Sequence, residues 1–242
     1  MIQKTTVAVD SQKIACVFHQ ADNDSDACII SCHGLLATKD SPKYIFLAEE
    51  LNRRGLSSIR FDFRGCGESD GRIENSHVTN RLRDLEVVMD YVKDDLGFDK
   101  VGLFGSSMGG FISILKATSS SMVKVLVTLS APYSMTDILD LHFSNSEMFE
   151  IDNIVLGTNF IKDLKSRGNL TPKLLKQIHS PTLIFHGNLD GVVPIDHAQR
   201  LYRELEIDKR IEIIPGGDHV FSNPFQLHWV IQTSADWFEK YL

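Results

Sequence analysis

The sequence predicts an α/β fold with a mostly parallel eight-stranded sheet, helices on both faces of that sheet and one inserted segment. Three observations support this prediction. Apolar runs of strand length alternate with helical patterns along most of the chain, as is typical of parallel strands joined by helices. The apolar run at residues 27–32 suits a strand buried on both faces. One long interruption, at residues 133–180, indicates an insertion.

The chain opens with a predicted antiparallel hairpin, because two β-branched runs at residues 5–9 and 13–18 flank a polar break. Apolar runs then predict six further strands, at residues 27–32, 57–63, 100–104, 123–129, 182–185 and 210–214. Helical spacing of apolar residues predicts helices at residues 42–54, 78–96 and 224–241, and helices that begin at Ser107 and Pro194. Strand and helix therefore alternate as a parallel sheet requires.

The interruption at residues 133–180 is far longer than the ~2–6 residues that usually connect elements in α/β folds. We expect it to form a small ordered cap, with residues 1–132 and 181–242 as the core. The cap is rich in large apolar residues, namely Ile138, Leu139, Leu141, Phe143, Met148, Phe149, Ile151, Ile154, Val155 and Phe160. They either hold the cap onto the core or line a pocket above the functional site.

Composition narrows the function classes. The chain has 25 Lys and Arg against 32 Asp and Glu, a net charge of −7, and no basic run interleaved with aromatics, so nucleic acid is not an expected partner. No stretch approaches the ~20 apolar residues that span a bilayer, and the first ten residues lack the apolar segment of a signal peptide. We therefore expect a cytoplasmic protein without a membrane span.

Four cysteines lie in the first third of the chain, namely Cys16, Cys28, Cys32 and Cys66. Cys28 and Cys32 have a spacing found in metal sites, but both belong to the apolar run at residues 27–32, where small buried side chains are expected. We interpret the cysteines as buried thiols and expect neither a metal nor a disulfide framework.

Residues 105–109, Gly-Ser-Ser-Met-Gly, match the pattern G-x-S-x-G. Five residues of common type are weak evidence, but these follow a predicted strand directly and open a helical pattern, which is the setting of a nucleophile elbow. A Cβ atom at Gly105 or Gly109 would crowd such a turn. Ser107 is therefore the candidate nucleophile, and Ser106 is out of register with the glycines. The alternative is a glycine-rich turn without catalytic function.

A serine hydroxyl needs a base to take its proton. Among nine histidines, His219 lies in a loop directly after the last predicted strand, where its ring can reach the carboxyl edge of the sheet. His228 lies in a helical pattern, and His179 precedes a strand at the opposite edge. His219 is therefore the candidate base.

The base needs a carboxylate that orients its ring, placed between the serine and the histidine in the chain order of this arrangement. Asp190 lies in a loop just after the strand at residues 182–185. Asp196 falls within the next helical pattern, and Asp218 abuts His219 and is poorly placed to bond its ring. Asp190 is therefore the candidate third member.

Hydrolysis through a tetrahedral intermediate needs two backbone N–H donors for the oxyanion. One comes from the residue after the nucleophile and the other from the loop after the third strand, which assigns Met108 and Leu35. Gly34 lets that loop turn tightly. We expect His33 to be a structural ring rather than a second base.

Five motifs occur in the order seen in α/β-hydrolases, at residues 32–34, 61–71, 105–110, 186–190 and 217–219. Together they extend over nearly the whole chain, which resembles the α/β-hydrolase superfamily. Within it, the chain is similar to the bacterial cinnamoyl and feruloyl esterases and to the related serine aminopeptidase-like hydrolases, which also carry a cap. Leu35 and Cys66 depart from that group, which often has an aromatic residue and a histidine at these positions.

The function predicted from the sequence is hydrolysis of a small acyl or aryl ester through an acyl-enzyme, with no metal or organic cofactor. An aminopeptidase or amidase on the same residues is the alternative, with Glu147, Glu150 or Asp152 holding a substrate ammonium. A second alternative is a non-catalytic binding protein on a hydrolase scaffold. The expected partner is a small-molecule ester, and the sequence leaves a homodimer open.

Overall fold

The computed structural model describes residues 1–22, 25–143, 149–151 and 154–242. The strands are β1 (Ile2–Val9), β2 (Gln12–His19), β3 (Ala27–Cys32), β4 (Ser57–Phe61), β5 (Lys100–Ser106), β6 (Val123–Leu129), β7 (Phe149–Ile151), β8 (Ile154–Leu156), β9 (Thr182–Gly187) and β10 (Lys209–Ile214). Eight of them form one sheet in the order β1-β2-β4-β3-β5-β6-β9-β10. The predicted eight-stranded sheet is confirmed.

Most of this sheet is parallel. β2 pairs antiparallel with both β1 and β4, whereas the other pairings, β4 with β3, β3 with β5, β5 with β6, β6 with β9 and β9 with β10, are parallel. All residues of β3, and every residue of β5 after Lys100, are buried. The prediction of a central strand at residues 27–32 is therefore correct.

The helices are α1 (Pro42–Arg53), α2 (Val78–Asp94), α3 (Met108–Ala117), α4 (Met135–Phe143), α5 (Thr158–Arg167), α6 (Pro172–Leu175), α7 (Asp196–Glu204) and α8 (Pro224–Tyr241). Apolar residues of α2, α3 and α7 join one core cluster. Apolar residues of α1 and α8 join a second cluster with the strands. The sheet is therefore covered on both faces, as predicted.

Several element boundaries differ from the prediction, most of them by one or two residues, and three of the differences have a visible structural cause. β1 begins at Ile2 rather than at residue 5, because its pairing with β2 extends to Ile2 opposite His19. β4 ends at Phe61 rather than at residue 63, since the Asp62 carboxylate accepts from the N–H groups of Lys39 and Glu68 and fixes the loop there. α7 begins at Asp196 rather than at Pro194, because the N–H groups of Val192 and Val193 donate to the Asp190 carboxylate and hold the preceding segment in a loop.

Between β6 and β9 the described chain forms α4, the antiparallel pair of β7 and β8, α5 and α6. Leu156, Phe160 and Leu164 are buried in the core, whereas Leu141 and Val155 are 57% and 47% exposed. The sequence did not predict that β7 and β8 pair. Met148 lies outside the described residues, and the side chains of Phe143, Phe149 and Ile151 lie outside the described part.

The loops that follow β3, β5, β9 and β10 lie at one edge of the sheet, because parallel strands end together. Cys32 at the end of β3 is opposite Gly105 of β5, and Ile214 at the end of β10 is opposite Gly187 of β9. Ligands in open α/β sheets bind at this carboxyl edge. The candidate nucleophile, base, carboxylate and oxyanion donors all follow one of these four strands.

The four cysteines are buried, as the sequence predicted. Cys16, Cys28 and Cys32 belong to strands. Burial raises the pKa of the Cys16 thiol to about 12, so that this side chain stays protonated near neutral pH. Within the described ranges, no helix has the length and apolar character needed to cross a bilayer.

Candidate active site

Ser107 occupies a strained turn between β5 and α3. Its φ of 53° and ψ of −125° lie in a region that residues other than glycine rarely adopt. Two close approaches explain the flanking glycines. A Cβ on Gly105 would come within 2.6 Å of the Gly109 carbonyl oxygen, and a Cβ on Gly109 would overlap the carbonyl oxygen of Cys32. The turn presents the Ser107 side chain at the wall of a cavity.

His219 faces this serine from the loop after β10. Its Nε2 atom lies 3.0 Å from the Ser107 Oγ atom, within the range of a hydrogen bond. The ring is partly buried, with 18% of its side chain exposed. This geometry allows the imidazole to take the hydroxyl proton as the oxygen attacks an electrophile.

Asp190 lies behind His219, in the loop after β9. Its Oδ2 and Oδ1 atoms are 2.8 Å and 3.0 Å from the His219 Nδ1 atom. The Oδ1 atom also accepts from the backbone N–H groups of Val192 and Val193. The carboxylate is wholly buried and held from two directions. It therefore fixes the proton of His219 on Nδ1 and leaves Nε2 free to face the serine.

The charge state of Asp190 follows from opposing effects. Burial alone raises the pKa of this carboxyl, but the hydrogen bond and positive charge of His219 and the two backbone donors outweigh burial. The net pKa of Asp190 lies below its ordinary value. Asp190 is therefore a carboxylate throughout the range in which a histidine titrates.

A second histidine, His186, stabilises the loop that contains Asp190. His186, at the end of β9, is fully buried, and its Nε2 atom lies 2.8 Å from the Val193 carbonyl oxygen and 3.4 Å from Asp190 Oδ2. Burial lowers the pKa of His186, so that its ring is neutral and donates to the carbonyl. His186 thereby fixes the segment that supplies backbone donors to Asp190.

The alternative acids and bases considered in the sequence lie away from the Asp190–His219–Ser107 series. The Asp218 carboxylate caps its own loop, accepting from Ser222 Oγ and from the N–H groups of Val220 and Ser222. His228 lines a groove between α1 and α8. His179 is exposed before β9, and Asp196 opens α7. In the described hydrogen bonds, none of these four contacts Ser107 or the His219 ring.

Leu35 and Met108 both line the cavity at Ser107. Met108 is the first residue of α3, so its N–H points out of the helix N-terminus. Throughout the described part of the chain, no acceptor takes the N–H of either residue. Gly34 brings the Leu35 loop close, since a Cβ there would lie 3.2 Å from the Ser107 Cβ atom. Two free donors thus lie beside the serine.

The Leu35 loop is held by a buried arginine that the sequence reasoning missed. The Arg81 side chain, on α2, is 0% exposed, and its Nη1 atom donates to the carbonyl oxygens of His33 and Gly34 at 3.0 Å and 3.4 Å. Its Nε atom donates to the Ser76 carbonyl oxygen at 3.0 Å, and its guanidinium lies over the Phe63 ring. Arg81 therefore fixes the backbone direction on which the Leu35 N–H depends.

His33 is a structural ring, as the sequence predicted. Its Nε2 atom accepts from the Phe63 N–H at 2.9 Å, so Nδ1 carries the proton and donates to the Gly34 carbonyl oxygen at 2.7 Å. Burial, together with the charge of Arg81, lowers the pKa of His33 to about 3. The ring is therefore neutral and has no free nitrogen to act as a base.

An apolar cavity of about 460 Å³ opens above Ser107. Its walls come from the Leu35 loop, from α4 and α5 and from the loop that holds Asp190. The wall residues are Leu35, Leu36, Met108, Pro132, Met135, Ile138, Leu139, His142, Leu164, Val192 and Val193. No carboxylate is among these described residues. Glu147 and Asp152 lie outside the described residues, as does the side chain of Glu150.

Comparisons with known proteins agree with this fold. A family model described as "alpha/beta hydrolase fold" matches residues 28–163, more than half of the chain. A second model, described as "Serine aminopeptidase, S33", matches residues 153–223.

Curated relatives are distant in sequence. The uncharacterized protein YfhR of Escherichia coli K12 is 26% identical over 204 residues, which cover 83% of this chain and 65% of YfhR. Human serine hydrolase BPHL is 24% identical over 238 residues, which cover 88% of this chain and 81% of that protein. The chain thus spans less than two thirds of YfhR.

Solved structures share the whole fold. Est1E from Butyrivibrio proteoclasticus, in a structure with bound ferulic acid, superposes with a TM-score of 0.88, at 22% identity and 98% coverage of both chains. Mouse alpha/beta hydrolase domain-containing protein 10 superposes with a TM-score of 0.82, at 20% identity, covering 98% of this chain and 99% of that one.

Proposed function

The chain belongs to the α/β-hydrolase family, and we propose that it is a serine esterase that cleaves a carboxylic ester through an acyl-enzyme. The observation that carries the proposal is the unbroken series of hydrogen bonds from Asp190 through His219 to Ser107, at 2.8 Å and 3.0 Å. This series ends at an apolar cavity beside two free backbone N–H donors.

In the first half of the proposed reaction, the Ser107 hydroxyl attacks the ester carbonyl carbon while its proton moves to His219 Nε2. The carbonyl oxygen becomes an oxyanion, which accepts from the N–H groups of Leu35 and Met108. The Asp190 carboxylate stabilises the imidazolium through Nδ1. Collapse of the intermediate breaks the bond to the alkoxy oxygen, which leaves as the alcohol with the proton of His219.

In the second half, a water molecule attacks the acyl group on Ser107. His219 takes a proton from the water and returns it to Ser107 Oγ as the acyl–oxygen bond breaks. The acid leaves, and the hydroxyl is restored. All proton transfers in this scheme use groups of the chain, the substrate and water, so the scheme requires no metal or organic cofactor.

The cavity supports an ester with an apolar acyl or aryl group. Small-molecule sites are mostly apolar with few polar groups, and the walls supplied by α4 and α5 fit that description. Est1E, which has the same fold, binds ferulic acid, an aryl acid. This likeness favours aryl esters among the substrates to be tried.

An aminopeptidase on the same residues is the second candidate, because the serine aminopeptidase model matches residues 153–223. Such an enzyme needs a carboxylate to hold the substrate ammonium. The described walls of the cavity contain none, and a lysine lies on the opposite side of Ser107. A substrate ammonium would thus find no negative partner on the described walls and a positive charge nearby, which favours the esterase over the aminopeptidase.

The test is hydrolysis of matched pairs of esters and amides with the same acyl group, among them phenylacetyl, cinnamoyl and aminoacyl groups. The esterase proposal predicts turnover of the esters and a loss of several orders of magnitude in kcat for Ser107→Ala. Faster cleavage of amino-acid amides than of esters would support the aminopeptidase. Turnover that survives in Ser107→Ala would contradict both.

A further inference from the structure

A second cavity lies beside Ser107, on the side away from α4. It has a volume of about 540 Å³ and shares Leu35, Ser107 and His219 with the apolar cavity. Its other walls come from the start of α1 and from residues 220–227. An ester bound at Ser107 can therefore extend in two directions from the scissile bond, one into the apolar cavity and the other into this second cavity.

The wall of this second cavity carries a lysine. Lys43, in the first turn of α1, is half-buried, and its Nζ atom donates to Ser106 Oγ at 3.1 Å. Ser106 is 4% exposed and precedes the candidate nucleophile. The hydroxyl of Ser106 thus anchors the ammonium group close to the site of the proposed chemistry.

Among the described residues, Lys43 has no ion-pair partner. In the described ranges, no carboxylate lies within 4.0 Å of its ammonium, whereas Lys39, in the loop before α1, contacts Asp40, Asp62 and Glu68. A half-buried cation without a counter-ion is costly, and an ammonium has three donors, of which Ser106 takes one. The remaining donors are available to a ligand in the cavity.

Burial lowers the pKa of Lys43 to about 8, and the negative charge of Asp218 opposes this shift in part. Lys43, Tyr44 and His219 are the titratable groups on the described walls of the cavity. Tyr44 is buried, and burial raises the pKa of its hydroxyl, so this group stays neutral. The Asp218 carboxylate is engaged with its own loop. Lys43 is therefore a cation at pH 7 and loses its charge in mild alkali.

We propose that the second cavity binds a carboxylate of the substrate and that Lys43 holds it, so that the natural ester joins an apolar group to a carboxylate-bearing group. This inference rests on the proposed esterase function and narrows its substrate class. A carboxylate suits the site better than a phosphate monoester, because that group carries nearly two charges and Lys43 is the single Lys or Arg on the described walls.

The kinetic test compares acids with their amides. On the alcohol side, O-butyrylglycolate is compared with O-butyrylglycolamide, and on the acyl side, monoethyl glutarate with ethyl glutaramate. We expect kcat/KM to favour the acid over the amide by about tenfold or more in one pair, which also identifies the side on which the carboxylate lies. A ratio near one in both pairs would overturn the proposal.

Variants and pH distinguish Lys43 from other causes of such a preference. Lys43→Met should bring the acid-to-amide ratio close to one, Lys43→Arg should keep part of it, and the exposed control Lys173→Met should leave both rates unchanged. In the wild type the acid-to-amide ratio of kcat/KM should fall as pH rises through about 8, because Lys43 then loses its charge. The protonation state of His219 affects both substrates equally and therefore cancels from the ratio. A ratio that survives Lys43→Met would overturn the proposal.

A binding measurement separates this proposal from the esterase proposal. The unreactive ethers 2-butoxyacetate and 2-butoxyacetamide are titrated calorimetrically into the wild type and into Lys43→Met, and the pentanoic acid and amide pair serves as the acyl-side counterpart. Tighter binding of an acid than of its amide, lost in Lys43→Met, supports the carboxylate site even if every ester is inert. Equal binding of acid and amide in both pairs overturns it, even if esters are hydrolysed.

Discussion

The Asp190 Oδ2 atom lies 2.8 Å from the His219 Nδ1 atom, while Asp190 Oδ1 accepts from the backbone N–H groups of Val192 and Val193. The carboxylate can satisfy both sides only as a pure acceptor. The loop after β9 therefore fixes both the orientation of the His219 ring and the nitrogen that carries its proton.

Asp190→Asn should keep the fold and lower kcat by about 10⁴-fold. The asparagine oxygen can accept from the two backbone donors, but its NH₂ group then faces Nδ1 and favours the tautomer with the proton on Nε2. Steady-state kinetics on a neutral aryl ester would measure the loss. Asp218→Asn is the matched control, because that carboxylate bonds Ser222 and its own loop. A crippled Asp218→Asn beside a fully active Asp190→Asn would reverse the assignment.

Ester hydrolysis should fall in acid with a single ionisation. His219 must be neutral to accept the serine proton, so protonation of its imidazole removes the base. The pKa of Asp190 is lowered, so the charge of this group is present above that pKa and is lost when pH falls through it. Asp190 therefore stays a carboxylate in mild acid, and a single proton, the one on the base, accounts for the loss of activity there. The measurement is log kcat/KM for a neutral ester against pH. A slope of two on the acid side above pH 5 would show that two groups are protonated and would contradict the prediction of a single one.

Arg81→Met should lower kcat by about tenfold to a hundredfold with a smaller change in KM. Arg81 acts as a positioning residue, since its bonds to the His33 and Gly34 carbonyl oxygens set the direction of the Leu35 N–H. Loss of a whole oxyanion donor costs about 10²–10³ in kcat, and misalignment should cost less. Arg83→Met, on the same helix, is the control, because Arg83 is exposed and pairs only with Glu86 among the described residues. Equal effects of the two variants would argue against this role of Arg81.

Longer acyl chains should be preferred if the cavity under α4 holds the acyl group. Each buried CH₂ contributes ~0.8 kcal/mol, close to fourfold in kcat/KM. Ile138→Ser should flatten this dependence, because Ile138 lines the cavity. Leu141→Ser, on the same helix but 57% exposed, should leave it intact. The measurement is a series of p-nitrophenyl esters from acetate to octanoate, and a slope unchanged in Ile138→Ser would place the acyl group elsewhere.

The sequence was sufficient to select Ser107, Asp190 and His219, because each follows directly after a strand whose apolar run is visible locally. Parallel strands end at one edge, so residues far apart in the chain could be expected to meet there. The structure brings His219 within hydrogen-bonding distance of both Asp190 and Ser107. Their catalytic roles remain proposals.

Arg81 and Lys43 could not be found in this way, since their importance depends on tertiary packing. Arg81 lies on the buried face of α2 with Val78, Leu85 and Val88. A cation among the apolar positions of a helix is unusual, and this was the one feature of the sequence that could have indicated its role. Lys43 follows the helix-opening Pro42 and resembles an ordinary surface lysine in sequence. That it has no ion-pair partner in the described part of the chain depends on where Ser106 and the loop after β10 lie in space.

The central claim is that Ser107 is the nucleophile of an acyl-enzyme, and covalent labelling tests it most directly. A fluorophosphonate probe should add one adduct to the wild type, mapped by mass spectrometry to Ser107. The adduct should form in Ser106→Ala and be absent in Ser107→Ala and, at short times, in His219→Ala. An adduct on any residue other than Ser107, or equal labelling of Ser107→Ala and the wild type, would contradict the account.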